Sequence, residues 1–429
     1  MKLFLMKKNT KKVDLILRTW TSDIAGIYDY STKAFKLIKD SIGESTYVVR
    51  FKNNEFDNIS EHSKIPPESD LLFYVNNGNT DKFSLINLIP KKLKLTNENI
   101  SYLNNKIWYV IKSEESEDKF CNEEYYICQN DIIKLGKNKF VVQKIHKENN
   151  FNGVDPPMPI NQIKNYDLSK LNQNTPPIFD FIFEVIHFKI INDKNENINN
   201  ETPQGNEGSE NMEVKCAICN QSNYDSDNFE INDYESNILI SLCKCKEKRM
   251  LHLECLRKQL KVSIEKKKLD KSITIENCQC PSCNEQYPLK FRLNNEVKTL
   301  IRQYEEPKSG DFIILESLDY IKDDKYCKSI HIITLERDYI TIGRDSENDV
   351  VEKDISISRF HASLKFNKEN GKICLKNISK KFRTLVLVKA PIILLENKIY
   401  LQVGRTFIEA CLVNKNNKNN KDKIEKENN

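Results

Sequence analysis

The sequence predicts a multidomain, mainly β protein with a small metal-stabilised module that contains one helix. Short runs in which apolar and polar residues alternate recur towards both ends of the chain, and such runs are typical of strands. Between them lie seven cysteines and one histidine in close pairs, an arrangement typical of structural zinc sites. With 429 residues the chain is long enough for more than one core. We therefore expect two β-rich domains on either side of a zinc-built module.

The overall composition argues against membrane-spanning and nucleic-acid-binding proteins. The 67 basic and 62 acidic residues give a net charge of only +5, so the surface is mixed rather than polybasic. No apolar run approaches the roughly 18 residues needed to span a bilayer, and the N-terminus lacks the apolar stretch of an export signal. We expect a soluble cytoplasmic or nuclear protein. Its 13 cysteines are then reduced thiols or metal ligands rather than disulfides.

Residues 1–148 form the first expected domain. Alternating runs rich in Val, Ile and aromatic residues, separated by polar turns, predict a β-rich fold. These runs include Tyr47–Phe51, Leu71–Val75, Lys106–Ile111 and Lys139–Gln143. Their pattern alone indicates no function.

Three stretches are expected to lie outside the folded domains. Residues 149–211 are rich in Asn, Pro, Glu and Lys and predict a linker, interrupted by one apolar strand-like segment at 178–191. A second, shorter linker is expected at 291–310. Residues 414–429 are almost all Lys, Asn, Glu and Asp, which predicts a disordered, solvated tail.

The metal-binding pattern occupies residues 212–290. Two thiolates two or three positions apart can hold one face of a tetrahedral ion, and two such pairs complete a closed structural site. Eight ligands therefore predict two structural zinc ions. The pairs are Cys216/Cys219, Cys243/Cys245, His252/Cys255 and Cys280/Cys283.

A helix is expected within this pattern. Apolar residues at three-to-four spacing predict that it starts near His252, which would present His252 and Cys255 together on one face. The apolar residues are Leu253, Leu256, Leu260 and Ile264.

This stretch resembles the RING-CH (RING-variant) zinc finger. The resemblance depends on the ligand order of four Cys, one His and three Cys, on the tight Cys243-Lys-Cys245 pair and on the sequence His252-Leu-Glu-Cys-Leu256. In that family one ion takes the first and third ligand pairs, and the other ion takes the second and fourth. The PHD finger is the alternative, since it shares the ligand order but usually has a longer gap in its second pair. Cys278 is an alternative ligand, because Cys278-Gln-Cys280 forms another close pair.

The RING-CH resemblance implies a ubiquitin-ligase function without a catalytic residue in this chain. Closed zinc sites leave no position for an activated water, so the zinc is structural. RING-type proteins dock a ubiquitin-charged conjugating enzyme, and the docking positions of the family match Ile218 and Pro281. The alternative is that Ile218 only packs within its own loop. Two positions depart from the family: Gln259 replaces a frequent Trp, and Asn284 replaces an Arg that many active members use to hold ubiquitin.

Residues 311–413 predict a second β-rich domain. Eight short apolar runs with tight connections are typical of a β-sandwich, and Asn370-Gly371 between two of them predicts a hairpin turn. The runs are Ile330–Leu335, Tyr339–Ile342, His361–Phe366, Lys372–Ile378, Leu385–Val388, Ile392–Leu395, Ile399–Val403 and Phe407–Val413.

Two loops of this region resemble those of the forkhead-associated (FHA) domain. They are Ile342-Gly-Arg344 after one strand and Ser356-Ile-Ser-Arg-Phe-His361 before another. The resemblance implies that Arg344 and Ser358 hold a phosphothreonine, that Arg359 assists, and that His361 is a buried brace. A guanidinium offers a planar pair of donors, and a hydroxyl adds a directed hydrogen bond to another phosphate oxygen.

A third FHA-type loop departs from the family pattern. The family usually carries Asn-Gly-Thr, whereas Phe382 and Arg383 precede Thr384 here. Loss of the Asn removes a contact to the peptide backbone, and loss of the Gly changes the path of the loop if a positive φ is needed. The alternative to phosphothreonine binding is a sandwich that binds proteins in a general way.

One segment of the first domain resembles the closing strands of an FHA sandwich. It is Asn130-Asp-Ile-Ile-Lys-Leu-Gly136, which precedes the run around Phe140. No Gly-Arg and Ser-x2-His pair precedes it. The N-terminal domain is therefore expected to be FHA-like in fold at most.

The two resemblances together predict a RING-type ubiquitin-protein ligase. Its FHA domain would recruit phosphothreonine-containing substrates, and its zinc finger would dock a ubiquitin-conjugating enzyme. The alternative is a non-catalytic phosphoprotein adaptor whose zinc finger is only an interaction surface.

Overall fold

The computed structural model describes residues 11–21, 28–31, 34–78, 83–87, 103–111, 124–148, 215–221, 239–243, 245, 249–267, 269–284, 287–288, 290–293, 296–301, 306–318, 321–322 and 325–414. These residues are mainly in strands, as predicted, with one α-helix among them. The linker expected at 149–211, with its segment at 178–191, and the tail beyond Asn414 lie outside the described residues. No helix in the described ranges is long and apolar enough to cross a membrane.

The described residues of the first half of the chain contribute ten strands, and each of the four runs predicted there overlaps a strand. They are β1 (Lys11–Trp20), β2 (Phe35–Ile42), β3 (Thr46–Arg50), β4 (Phe56–Ile59), β5 (Asp70–Asn77), β6 (Phe83–Ile86), β7 (Ile107–Ile111), β8 (Glu124–Tyr126), β9 (Ile132–Leu135) and β10 (Asn138–His146), with a 3₁₀ turn at His62–Lys64.

The rest of the chain contributes the helix and the remaining strands. The middle part contains β11 (Leu239–Ile240), β12 (Leu251–His252), α1 (Leu253–Gln259), β13 (Lys261–Lys266), β14 (Asp270–Glu276), β15 (Lys290–Leu293) and β16 (Glu296–Thr299). The last part contains β17 (Phe312–Ser317), β18 (Ile321–Lys322), β19 (Lys325–Thr334), β20 (Tyr339–Gly343), β21 (Val350–Val351), β22 (Ala362–Asn367), β23 (Lys372–Asn377), β24 (Thr384–Leu387), β25 (Ile392–Ile393), β26 (Ile399–Val403) and β27 (Thr406–Asn414). Each of the eight runs predicted in this part falls on a strand.

Strands from both ends of the chain form one continuous sheet. Its hydrogen-bonded order is β13-β14-β19-β17-β10-β9-β24-β7-β26-β27-β1-β2, with β18 paired to β19. Two five-stranded sheets, β21-β20-β22-β23-β8 and β25-β6-β5-β3-β4, accompany it. Apolar side chains from all three sheets, for example Val13, Phe73 and Leu364, belong to one buried cluster. The architecture is therefore two sandwiches that share a long sheet.

Each sandwich is closed by strands from the opposite half of the chain. The C-terminal sandwich, defined as β17 and β19–β24 with β8–β10, takes its closing strands from residues 124–146. The N-terminal sandwich, defined as β1–β7 with β25–β27, takes its closing strands from residues 392–414. From the central pair β24–β7, the order outward is β9, β10, β17, β19 on one side and β26, β27, β1, β2 on the other. The two halves therefore exchange their closing strands reciprocally.

This exchange differs from the separate domains expected at 1–148 and 311–413. Strands of these two ranges are hydrogen-bonded neighbours, as in the antiparallel pairing of β1 with β27 from Lys11↔Asn414 to Thr19↔Thr406. The physical reason is that an alternating run specifies a strand and its buried face, but not its partner. The segment at Asn130–Gly136 contains one closing strand, β9, and this strand belongs to the C-terminal sandwich.

The metal module, defined as residues 215–301 in their described ranges, is attached to the C-terminal sandwich by a hairpin. β13 pairs with β14, and β14 pairs antiparallel with β19 of the sandwich. Buried residues of the module, such as Leu256 and Phe291, share one apolar cluster with Phe312 and Ile332 of the sandwich. The module and the sandwich therefore have a common core.

Two expectations about this module are corrected by the structure. The helix ends at Gln259, and Ile264 lies on β13 with 40% of its surface exposed, because alternation of β-branched and polar residues favours a strand that extends the sheet. The range 291–310, expected to be a linker, begins with the hairpin β15–β16. Phe291 and Leu293 of that hairpin are buried in the core of the module, which explains why the segment is folded.

Candidate functional site

Arg344 lies at the exposed end of β20, next to the loop that carries Ser358. Its backbone N–H donates to the carbonyl of Ser358 at 3.0 Å, and its Nε donates to the carbonyl of Ile357 at 3.3 Å. The side chain is exposed, and the exposed Arg359 follows in the same loop. The structure thus brings together the three residues that the FHA resemblance assigns to phosphothreonine binding.

Gly343 and Asn348 allow the two loops to approach this closely. A Cβ atom at Gly343 would lie 2.1 Å from the carbonyl oxygen of Arg359, so only glycine fits. The Asn348 Nδ2 group donates to the same carbonyl at 2.7 Å. The sequence motif contains Gly343, but Asn348 lies between the two motif loops and belongs to neither, so the motif does not indicate it.

His361 braces the Ser358 loop from inside. It is fully buried, its Nδ1 accepts the backbone N–H of Ser358 at 3.1 Å, and its carbonyl accepts the N–H groups of Ile378 and Ser379. Burial lowers the pKa of His361 to about 4, and the backbone of Arg383 opposes part of that shift. The ring is therefore neutral at pH 7, which suits a positioning role and not proton transfer.

Ser379 is a site residue that the sequence did not indicate. Its hydroxyl lies 2.6 Å from the Ser358 hydroxyl and accepts the backbone N–H of Phe382 at 3.1 Å. Because Ser379 accepts from Phe382, its own hydrogen is available to Ser358. The Ser358 hydrogen is then available to a phosphate oxygen.

The third FHA-type loop follows a path that needs no glycine. Neither Phe382 nor Arg383 has a positive φ. Asn377 stabilises the loop instead, since its Oδ1 accepts the N–H of Thr384 at 3.0 Å and its Nδ2 donates to the carbonyl of Ser379 at 2.8 Å. The exposed Lys380 and Lys381 follow Ser379 in this loop, and the Lys381 ammonium pairs with Asp29.

The eight predicted metal ligands gather in two groups of four, each of which can hold a metal ion. The first metal group is Cys216, Cys219, His252 and Cys255, and the second metal group is Cys243, Cys245, Cys280 and Cys283. The ligand atoms of each group lie within 4.8 Å of one another. The pairs interleave in the order that the sequence predicts.

The spacing within each group fits a tetrahedral ion. With Zn–S bonds of about 2.3 Å, two sulfurs in a tetrahedral site lie about 3.8 Å apart. The Sγ atoms of Cys245 and Cys280 are 3.6 Å apart, and the His252 Nδ1 lies 3.3 Å from the Cys219 Sγ and 3.8 Å from the Cys255 Sγ. Thiolates with one imidazole are the donor set that structural zinc prefers.

Two Cys-x2-Cys loops of the module, called knuckles here, have the same geometry. The N–H of Asn220 donates to the carbonyl of Cys216, and the N–H of Asn284 donates to the carbonyl of Cys280, both at 2.8 Å. Both asparagines have a positive φ, 59° and 55°. Asparagine adopts this conformation more readily than arginine does. Asn284, which departs from the RING-CH pattern, is therefore suited to its turn.

The environment of Cys280 favours the thiolate that a metal needs. Burial raises the pKa of Cys280, but hydrogen bonds from the backbone N–H groups of Cys283 and Ser282 and from the thiols of Cys245 and Cys243 together lower it to about 6.

Cys278 lies outside both metal groups. Its thiol is 4% exposed and donates to the carbonyl of Tyr287 at 3.9 Å, and burial raises its pKa to about 11. Between the alternatives Cys278 and Cys280, the structure brings Cys280 to the second metal group.

Ile218 and Pro281 lie on the two knuckles and are exposed, Ile218 to 37%. Both knuckles contact the segment Arg249–Met250. The N–H of Ala217 donates to the carbonyl of Met250 at 2.9 Å, and the Arg249 Nη1 donates to Ser282 Oγ at 3.4 Å. The module thus presents its two knuckles on either side of a common segment.

Gln259 is exposed at the end of α1.

Comparison with known families supports one of the two resemblances. A model of the FHA domain family matches residues 340–407, and FHA domains bind phosphothreonine-containing proteins. No match to the RING-CH family is found. No curated protein and no solved structure matches the chain. The matched segment runs across both sandwiches, because residues 392–407 belong to β25–β27 of the N-terminal sandwich.

Proposed function

We propose that this chain binds phosphothreonine-containing proteins at Arg344 and Ser358, with Arg359 assisting. The observation that carries the proposal is the arrangement of these residues within the FHA-matched segment. Arg344 is exposed but held at its base by the Ile357 carbonyl, so its terminal nitrogens are left to pair with a phosphate. The neutral His361 ring accepts the backbone N–H of Ser358, and the Ser379 hydroxyl contacts the Ser358 hydroxyl, so both residues position Ser358.

An Arg344→Ala substitution tests this function. Removal of the guanidinium should abolish the preference for a phosphothreonine peptide library over its unphosphorylated twin, measured by fluorescence anisotropy. Arg337→Ala is a matched control, because Arg337 is an exposed arginine of the same sandwich whose Nη1 pairs with Asp349 at 3.2 Å. Equal binding of both libraries by the unmodified protein would contradict the proposal.

The two metal groups are proposed to hold two structural zinc ions. Support comes from the tetrahedral spacing and the donor set, in which seven thiolates and one imidazole leave no open position for water. Zinc would fix the fold of the module without taking part in a reaction, because interleaved ligands tie distant loops to each other.

We further propose that the metal module acts as a RING-type ubiquitin ligase, docking a ubiquitin-charged conjugating enzyme through Ile218 and Pro281. The interleaved ligand set and the exposure of both residues on knuckles that contact the segment Arg249–Met250 support this function. Together with the phosphopeptide site, it would make the chain a ligase that recruits phosphorylated substrates.

An Ile218→Ala substitution tests the ligase function. The purified variant, incubated with activating enzyme, a panel of conjugating enzymes and ubiquitin, should lose ubiquitin transfer while it keeps two metal ions by native mass spectrometry. Ile264→Ala is the matched control, since Ile264 is an isoleucine of similar exposure on the β13–β14 hairpin and belongs to neither knuckle. Absence of transfer by the unmodified, metal-loaded protein with every conjugating enzyme would contradict the proposal.

A second candidate function is a phosphoprotein adaptor without ligase activity. The replacement of a frequent Trp by exposed Gln259, and of the ubiquitin-holding Arg by Asn284, favours it. An adaptor would bind phosphopeptides as predicted above, and its partner binding would be unchanged by Ile218→Ala.

A further inference from the structure

The Ser358 loop of the candidate site contacts a turn from the other half of the chain. Gly136 and Lys137 form the turn between β9 and β10, which close the C-terminal sandwich. The N–H of Lys137 donates to Ser356 Oγ at 2.9 Å. A Cβ atom at Gly136 would lie 2.3 Å from the Ser356 carbonyl oxygen and 2.5 Å from its Oγ. The two segments are therefore in direct backbone contact.

The third loop of the site also contacts residues of the first half. Residues 28–31, between β1 and β2, lie against Lys381 and Arg383. The N–H of Tyr30 donates to the Lys381 carbonyl at 3.0 Å, Asp29 pairs with the Lys381 ammonium at 3.3 Å, and the Arg383 guanidinium lies 5.8 Å from the centre of the Tyr30 ring. Two site loops are thus held by parts of the chain more than two hundred residues away.

We propose that residues 28–31 and 124–146 are positioning elements of the phosphopeptide site, so that the site is complete only when the two halves exchange strands. The inference rests on the proposed phosphothreonine binding and deepens it. It differs from the family match, which treats residues 340–407 as one continuous unit.

A short series of contacts connects the turn to the phosphate-binding side chain. Gly136 touches the Ser356 carbonyl, and the next carbonyl, that of Ile357, accepts from the Arg344 Nε at 3.3 Å. Ser358 is the residue after Ile357, and its hydroxyl is the second phosphate-binding group proposed for the site. A displacement of Ser356 by a side chain at position 136 therefore moves both phosphate-binding groups.

Gly136→Ala in the full chain tests the proposal against a matched variant. Gly404 occupies the equivalent turn of the N-terminal sandwich, between β26 and β27, with φ 52° against 60° at Gly136. Alanine meets the same backbone strain at both positions. At Gly404, however, the nearest atom to a new Cβ is the Asn105 side-chain oxygen at 3.1 Å, which can move. Only Gly136→Ala displaces a site loop.

We expect Gly136→Ala to weaken binding of the phosphothreonine peptide library about tenfold, and Gly404→Ala to change it less than about twofold. Ser356→Ala, which removes the acceptor of the Lys137 N–H without a steric clash, should weaken binding severalfold and tests the contact if Gly136→Ala fails to fold. Unchanged affinity in folded Gly136→Ala and in Ser356→Ala would overturn the inference alone. If the unmodified protein shows no preference for the phosphorylated library, the proposed function is overturned and, with it, the inference.

A disulfide experiment tests the exchange independently of any peptide. Asp14 on β1 is the register partner of the native Cys411 on β27. Asp14→Cys should therefore form a disulfide with Cys411 under mild oxidation, mapped by mass spectrometry. Ile16→Cys, whose partner is Glu409, is the matched control. A chain in which each half closes its own sandwich would pair β1 with β10 instead, and absence of the disulfide would overturn the inference.

Discussion

His331 is buried between two carboxylates where the metal module meets the C-terminal sandwich. Its Nε2 lies 2.5 Å from Glu352, and its Nδ1 lies 2.8 Å from Ser272 and 3.4 Å from Asp270. Burial lowers the pKa of His331, but hydrogen bonds and charge from Asp270 and Glu352 raise it more, to about 10. The ring is therefore an imidazolium at neutral pH.

His331→Gln should destabilise the protein by about 3–5 kcal/mol, because it leaves the buried Asp270 and the largely buried Glu352 without their cation. The pKa in the folded state is above the usual value of about 6.5, so the stabilisation is complete below pH 6.5 and is lost as the pH rises through about 10. Urea unfolding of both proteins should show a gap that shrinks between pH 7 and pH 10.5. A gap that stays constant over this range would contradict the assignment of charge.

Residues whose role depends on local spacing could be predicted from the sequence. The eight metal ligands and the pair Arg344 and Ser358 belong to motifs within short windows, and the structure brings each set together. Ser379 and Gly136 could not be predicted, because their contacts join positions that are distant in the chain and carry no motif of their own. Asn284 departs from the family at a position where a positive φ suits asparagine.

At the scale of elements, the hairpin β13–β14 is the main connection between the metal module and the sandwich. It lies between the third and fourth ligand pairs and adds two strands to the sheet beside β19. Helix α1 is fixed to the end of β16, because Arg257 donates to the carbonyls of Thr299 and Leu300 at 2.6 and 2.9 Å. The sequence predicted the helix start from His252 but not its early end, since a three-to-four spacing continues by chance into a strand.

Removal of metal should unfold the module unevenly. A chelator should release two ions, and hydrogen exchange should accelerate in α1 and both knuckles, because interleaved ligands hold these loops. β14 should respond less, since β19 still pairs with it. Strands β26 and β27 provide an internal control because they are far from both metal groups in the sheet order. Retention of slow exchange in α1 after complete metal loss would contradict a metal-dependent fold.

At the scale of the whole molecule, the sequence predicts the strands and their buried faces but not the exchange. Both closing hairpins have a similar pattern, a short buried strand followed by a glycine with positive φ at Gly136 or Gly404 and then a longer strand. The pattern of apolar residues specifies which face of each hairpin is buried, but not which strand it pairs with. By pattern alone, either hairpin could pair with β17 or with β1. The segment Asn130–Gly136, expected in the N-terminal domain, therefore supplies β9 to the C-terminal sandwich.

The exchanged strands also determine the order in which the two sandwiches can fold during synthesis. During translation the N-terminal part of a chain leaves the ribosome first and domains tend to fold as they emerge. Strands β1–β7 emerge long before β25–β27 have been made, so the N-terminal sandwich cannot reach its closed form until nearly all described residues exist. Strands β8–β10 are available earlier, but they must not pair with β1–β7, which need β25–β27 as partners. A truncation before β25 would therefore damage the first sandwich to be translated rather than the last.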